Sequence, residues 1–521
     1  MRSELISVRD LPTDRATVFS SEHGNGSDLE DLFDADRFAQ YAALAVDRLA
    51  DHLADQSIRG LALTDPALIL AAATKLTRDG TPDNSELHAQ KLAEIIDLYA
   101  RTGIQVYSPG YMGRQFSGPF PVTAVVDLVS AVLTQPASFY EAGQLPNVVE
   151  RIMGGELNRF LGFPSDRFTM VTTSGGSLAN LTVLLAARNR RYPEAWARGF
   201  AGSALRPAIA VSEDVHYSVT RAAGILGIGE DHIVRLPVDG ARRIAAGEVR
   251  GALDAAAARG LDVFCLVANA GSTSVGAIDP FDALADIAAE RGLWLHVDGA
   301  HGASLLVSDR LRPRLVGLDR VDSLAWDAHK TMFVPAACTM LFYREHADSF
   351  MAFHQEASYV FEKTADIYTA FDAAEKNFEC TKRPMIMSLW VPWALYGPAP
   401  FAEKLELLCD LTEEAYAILA VAPDFVPLHR PDTNILCFRY LPPEPLDDGA
   451  LGRLQCEIRA RVRARGRFFI SKVDLDGHAA LRVVFMNHRI TPEHICLMLD
   501  EIRAVAQAIR EEQPHHEELT L

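Results

Sequence analysis

Between about Arg167 and Tyr343, short apolar runs alternate with helix-like stretches, and this alternation constrains the fold more than any other feature of the chain. The runs "RFTMVTT", "AIAVSE", "DVFCLVANAG", "LWLHVDGA", "VDSLAWDA" and "CTMLFY" have the length of strands. Several are apolar at almost every position, as strands covered on both faces are. Between them lie helical stretches such as "SLANLTVLLAARNRRY" and "FDALADIAAERG". Strands joined by helix-length crossovers pair in parallel, so an α/β domain around a mostly parallel sheet is expected.

The flanks read differently. From Asp34 to about Ala100 apolar residues recur three and four apart, which predicts a helical N-terminal segment behind a loose Ser-, Asp- and Gly-rich arm of about thirty residues. Beyond "WALYGPAPF" come a long helix, a strand "NILCFRYL", a helix "GRLQCEIRARVRARG", strands "RFFISKV" and "ALRVVFMN", and a last helix. That order predicts a smaller α+β domain. With 521 residues the chain is longer than one core usually supports. The expected division is an arm and helical dimerisation segment at 1–115, a large α/β domain at 116–395 and the small domain at 396–521.

Composition excludes several classes. A net charge of −19 without a basic stripe argues against a nucleic-acid partner. No apolar run is long enough to span a bilayer and the N-terminus has no signal-like core, so a cytoplasmic enzyme without membrane contact is expected. The seven cysteines form no CxxC pair, which indicates neither zinc nor a disulfide framework.

In parallel α/β sheets ligands bind beyond the carboxyl ends of the strands, and four such ends carry polar residues here. In "VTTSGGSLANL", Ser174, Gly175, Gly176 and Ser177 precede a helix, which fits either a phosphate cradle or a capped turn. In "LHVDGAHGAS", Asp298 ends a strand and needs a partner; a metal reading with His296 and His301 finds no further ligand cluster to support it. His216 follows the strand in "VSEDVHYS", a place where structural histidines are common. In "SLAWDAHKTMF", Lys330 stands where a buried strand runs out. A phosphate cradle, a carboxylate for a pyridine nitrogen, a histidine able to stack on a ring and a strand-end lysine together are what pyridoxal phosphate requires.

In these residues the chain resembles the group II pyridoxal-phosphate-dependent amino-acid decarboxylases, the family acting on glutamate, cysteine sulfinate, aromatic amino acids and diaminobutyrate. The resemblance runs from about Tyr107 to Ile502 through "TSGGSLANL", "SEDVHYS", "NAGSTSVGAID", "LHVDGAH", "DAHK", "ASYVF", "ECTKR" and "LRVVFMN". It implies the aspartate-aminotransferase-like fold with a seven-stranded sheet, and a homodimer with the active site at the interface. It implies a Schiff base on Lys330, Asp298 on the pyridine nitrogen, and His216 and Ala300 on the two ring faces. Thr273 would lie near the phenolic oxygen. Gly176 and Ser177, helped by Asp327 or His329, would hold phosphate, and Arg482 would grip the substrate's α-carboxylate.

Tyr359 is similar to the loop tyrosine that returns a proton to Cα after carbon dioxide leaves. A phenol there favours α-decarboxylation of an amino acid to its amine, whereas phenylalanine accompanies oxidative conversion to an aldehyde. An aldehyde synthase and a non-catalytic scaffold on the same fold are the alternatives. The chain departs from the family at "SPGYMGRQFSG", where relatives carry passages such as HPRYMGH: Ser108, Gly110 and Arg114 are unusual, and Arg114 with Gln115 is the candidate contact for the substrate side chain, a surface or inter-subunit salt bridge being the alternative for Arg114. Asp327 stands where many members have asparagine.

Overall fold

The structure is a computed structural model that describes residues 32–61, 63–78, 85–353 and 371–512. The N-terminal arm, the C-terminal tail and Tyr359 lie outside the described residues. The chain divides into two compact units, one formed by Met1–Ala54 and Thr64–Thr102, the other by Asp55–Leu63 and Gly103–Leu521.

The smaller unit is helical, with α1 (Ala35–Ala54), α2 (Pro66–Arg78) and α3 (Ser85–Thr102). Asp34 starts α1 by accepting the Arg37 N–H at 2.7 Å, which satisfies one of the free donors of the first turn. Arg48 and Asp97 tie α1 to α3. No residue of α1 is buried, and Phe38, Val46 and Leu49 stand exposed.

In the larger unit, α4 (Pro121–Leu133) and α5 (Gln144–Leu161) lead into the sheet. Its strands are β1 (Thr169–Thr173), β2 (Pro207–Ser212), β3 (Ile233–Leu236), β4 (Asp262–Asn269), β5 (Trp294–Asp298), β6 (Ser323–Asp327) and β7 (Thr339–Tyr343). The crossover helices are α6 (Gly176–Arg191), α7 (Tyr217–Ile225), α8 (Ala246–Ala258) and α9 (Phe281–Arg291), and a single turn, α10 (Ala328–Thr331), follows β6. The sheet order is β1-β7-β6-β5-β4-β2-β3, parallel except for β7, which runs antiparallel to both its neighbours. The fold is therefore α/β with a mostly parallel seven-stranded sheet.

Side-chain alternation explains why these strands are apolar throughout. Ala208, Ala210, Leu266, Ala268, Leu295 and Val297 feed the core on one face. Ile209, Val211, Cys265, Val267 and Trp294 feed the core on the other. Successive residues point to opposite faces, so a strand covered twice must be apolar at both sets of positions. The edge strand β3 was not among the expected runs, because it is four residues long and carries the exposed Arg235.

Beyond α11 (Ile386–Tyr396) and α12 (Ala399–Val421), β8 (Phe425–Pro427), β9 (Ile435–Tyr440), β10 (Ser471–Leu475) and β11 (His478–Val484) form an antiparallel sheet in the order β10-β11-β9-β8, with α13 (Asp448–Arg465) and α14 (Pro492–Glu512). Among the described residues no helix is long and apolar enough to cross a membrane.

A buried ion pair fastens the large unit near β1. Lys382 Nζ lies 2.9 Å from Glu150 Oε2, and the same carboxylate accepts the Thr172 hydroxyl at 2.5 Å. Removing one member of such a pair strands a charge in the core. Glu150→Ala is expected to destabilise the protein by about 3–5 kcal/mol, and Glu150→Leu with Lys382→Met by distinctly less, as read from denaturant unfolding.

Candidate active site

The carboxyl ends of β1, β2, β4, β5 and β6 meet at one edge of the sheet, so residues just past them converge although they are far apart in sequence. Lys330 sits on α10, with Nζ 3.4 Å from Asp327 Oδ2, and its side chain is 19% exposed. His329 Nε2 lies 3.5 Å from the same oxygen. His216 caps α7, taking the Ser218 N–H on Nδ1 at 3.3 Å. Burial lowers the His216 pKa, and Lys330 adds to this, while Asp298 and Asp327 oppose it. Lys330, Asp298, Asp327 and His216 therefore share one electrostatic neighbourhood.

Asp298, 8% exposed, ends a chain of hydrogen bonds that crosses the sheet. Its Oδ1 accepts the Ala300 N–H at 3.1 Å and its Oδ2 accepts Asn180 Nδ2 at 2.9 Å. Asn180 Oδ1 lies 3.0 Å from His296 Nε2, His296 Nδ1 lies 2.9 Å from Ser323 Oγ, and Trp294 Nε1 donates to that hydroxyl at 2.8 Å. Because an amide oxygen only accepts, His296 carries its proton on Nε2, and Ser323 must then donate to Nδ1. Every donor in the chain thus points toward the Asp298 carboxylate. Sequence reasoning missed Asn180: its motif was noticed, yet nothing local marks an asparagine in a first helical turn as the partner of a residue 118 positions away.

The same hydrogen bonds engage both nitrogens of His296, and His301 Nε2 is 2.7 Å from Asn434 Oδ1. The two imidazoles face different protein partners. His301 Nδ1 is buried without a partner among the described residues.

The residues after β1 leave room for an anion. Gly175 has φ +131°, a conformation open to glycine, and begins α6. A Cβ on Gly176 would stand 3.1 Å and 3.2 Å from the Asp327 oxygens and 3.5 Å from Ala300 Cβ. Ser174 and Ser177 are exposed beside them. A cradle that a methyl group would fill, free N–H groups at a helix start, a buried acceptor and a strand-end amine fit pyridoxal phosphate.

Arg482 is almost wholly buried, and it is committed to protein oxygens. Its Nη2 donates to Thr273 O at 2.7 Å, Nε to Ser274 O at 2.9 Å, and Nη1 to Ser471 Oγ at 3.3 Å and Gly113 O at 3.4 Å. One Nη2 hydrogen is left over. Burial lowers its pKa, opposed by Cys437. Arg482 thereby holds the Thr273 loop to the segment that precedes Arg114.

That segment separates the unusual residues into two kinds. Ser108 Oγ accepts the Arg59 N–H at 2.8 Å and donates to Ser57 O at 2.7 Å. A Cβ at Gly110 would fall 2.2 Å from Arg467 O. Both residues lock backbone, and the arginine of the family passage would not fit at Gly110. Arg114 is exposed, whereas Tyr111 Oη and Gln115 Nε2 are buried and unpartnered among the described residues. Arg114 and Arg482 both act electrostatically on the Tyr111 phenol.

Comparison with known proteins identifies the family. Residues 142–441 match the model of the pyridoxal-dependent decarboxylase conserved domain. An L-aspartate decarboxylase of Metarhizium robertsii is 29% identical over 74% of this chain and 75% of its own. An aromatic-L-amino-acid decarboxylase of Bacillus atrophaeus is 26% identical over 91% and 96%. The crystal structure of mouse CSAD superposes with a TM-score of 0.83 at 23% identity, covering 92% of this chain and 99% of that one, a likeness of fold. The chain belongs to the pyridoxal-dependent decarboxylase family. It is a carboxy-lyase that uses pyridoxal phosphate to decarboxylate an amino acid.

The buried histidines make acid sensitivity predictable. Burial lowers His296 from 6.5 to about 4 and His301 from 6.5 to about 3, with Asp298 opposing the shift at His296 and Lys330 adding to it at His301. The unfolded chain binds these protons first, so their contribution is complete above about pH 6.5 and is lost as pH falls toward 4 and 3. The urea midpoint of the wild type is expected to drop between pH 7 and 4.5. His301→Gln should show a shallower drop, and equal slopes would contradict it.

Proposed function

We propose that this enzyme removes the α-carboxylate of an L-amino acid with an acidic side chain, releasing the amine and carbon dioxide. The observation that supports the substrate class is the nearness in sequence of Arg114 to the carbonyl that Arg482 binds. Arg482 donates to Gly113 O, so an exposed guanidinium follows directly on the residue tied to the proposed carboxylate grip. The likeness to an L-aspartate decarboxylase points the same way.

When bound, pyridoxal phosphate supplies an electron sink for the bond to the departing carboxylate. Lys330 is the amine that anchors it, and Asp298 keeps a proton on the pyridine nitrogen. His216, whose pKa burial lowers, would cover one ring face and Ala300 the other. The N–H groups at Gly176 and Ser177 would hold phosphate, and Thr273 would lie toward the phenolic oxygen. The remaining Nη2 hydrogen of Arg482 binds the α-carboxylate, while Arg114 and Gln115 meet the side chain. Tyr359 returns the proton to Cα, a role that favours the amine over the aldehyde.

Two copies complete this site in our reading, which places the enzyme in solution as a homodimer in the cytoplasm. Val125, Leu128, Val129, Val132 and Leu133 of α4 are exposed, more apolar surface than a monomer's helix usually presents. Val129→Glu with Val132→Glu is expected to give a monomer by light scattering that binds cofactor poorly.

A screen of amino acids for carbon dioxide and amine release tests the reaction. Aspartate, glutamate or cysteine sulfinate should be turned over, and activity confined to basic or aromatic substrates would remove Arg114 from its role. Arg114→Gln should raise KM for the acidic substrate by about 10- to 100-fold, the loss of a charge-assisted hydrogen bond of about 1.5–3 kcal/mol. Tyr359→Phe should slow amine formation by about 10²–10⁴-fold, the usual worth of a positioned proton donor. Oxygen uptake should rise as amine formation falls.

A further inference from the structure

In a chain of net charge −19, a group of guanidiniums that no carboxylate meets calls for an explanation. Arg459 and Arg463 lie one turn apart on α13, both half-buried. Arg459 Nε donates to Ile470 O at 3.4 Å, and its guanidinium lies 6.0 Å from the centre of the Phe469 ring. Phe469 stacks on Tyr111 at 5.6 Å, which brings this flank of α13 to the segment that carries Arg114. Arg463 Nε is buried and meets no acceptor among the described residues.

The neighbouring acids are engaged elsewhere. Glu457 pairs with Arg461 at 2.7 Å, and Glu501 of α14 lies 3.9 Å from both Arg465 and Arg467. Residues 457, 461 and 465 follow one flank of α13 at four-residue spacing, whereas 459 and 463 line the opposite flank. Burial lowers the Arg459 pKa, Arg463 and Arg114 lower it further, and the Cys456 thiol opposes them. Arg114 acts in the same direction on Arg482. Among the described residues, Arg114, Arg459 and Arg463 have no ion-pair partner.

Like charges gathered in this way repel, and an anion set between them removes the repulsion. Each guanidinium offers its donors in a planar fork that matches phosphate or carboxylate oxygens, so several forks together suit an anion of more than one charge. Two half-buried side chains beside a pair of stacked rings present edges and not a flat patch, which fits a small oxyanion better than a protein surface.

We propose that Arg114, Arg459 and Arg463 form a second anion site, apart from the cofactor's own phosphate site, for a small oxyanion of the phosphate class carrying two or more charges. Because Arg114 is shared, an anion held there opposes the binding of an acidic substrate; this consequence rests on the reading that Arg114 meets the substrate side chain.

Calorimetric titration of the cofactor-loaded enzyme with inorganic pyrophosphate tests the site, since bound cofactor already fills the phosphate position at the start of α6. Wild type should bind pyrophosphate stoichiometrically and chloride far more weakly. Arg459→Gln and Arg463→Gln should each weaken pyrophosphate binding by about 10- to 100-fold, the loss of a charge-assisted hydrogen bond. Arg459→Lys with Arg463→Lys keeps both charges and should bind more tightly than either glutamine variant, which separates loss of the site from loss of the fold. Arg250→Gln, which removes a charge already paired with Glu290, should bind like wild type. If it weakens binding as much as Arg463→Gln does, or if the glutamine variants bind like wild type, the site is overturned. Pyrophosphate should also raise the wild-type KM for an acidic amino acid. Binding as expected with an unmoved KM would overturn the substrate role of Arg114 and leave the anion site standing.

Discussion

The hydrogen-bonded chain from Trp294 through Ser323, His296 and Asn180 to Asp298 is the constraint around which the site is built. A carboxylate this deep in a core is costly unless donors meet it, and here each link aims its hydrogen the same way. The chain crosses from β6 to β5 to α6, so it also fixes the register of two strands against the helix that follows β1. Protonating His296 would set its Nδ1 hydrogen against the Ser323 hydroxyl and force that group to reverse. Burial and bond direction therefore favour the same neutral imidazole, which agrees with its lowered pKa.

Much of this architecture is written locally. Six of the seven large-sheet strands were visible because two cores demand apolar residues at both parities, and Lys330, Asp298 and His216 were visible because they interrupt or follow such runs. β3 escaped because an edge strand needs neither length nor a second apolar face, and Arg235 shows it. The three-residue β8 escaped for the same reason. Asn180 and Lys382 lay within the recognised motifs, but their meaning depends on partners 118 and 232 residues away.

Departures from a family pattern proved a weaker guide. Ser108 and Gly110 looked like changes in a substrate-facing loop, yet their neighbours are backbone atoms of Ser57, Arg59 and Arg467. A glycine is required wherever a Cβ would sit inside a carbonyl oxygen's contact radius, whatever the loop does elsewhere. Arg114 differs because it is exposed and adjoins a residue bonded to Arg482, so the same seven-residue stretch holds both scaffold and candidate chemistry.

Arg482 shows why that division matters. A buried guanidinium surrounded by carbonyl oxygens keeps its charge without a carboxylate partner, since those dipoles satisfy its hydrogens while leaving its field uncancelled. The bonds to Thr273 and Ser274 on one side and Gly113 on the other make one side chain the joint between the loop after β4 and the segment that precedes Arg114. The Asp298 chain shares no hydrogen bond with that joint. Side chains at Arg114 and Gln115 can therefore change without disturbing the buried donors behind Asp298, whereas a change at Arg482 would loosen both segments together.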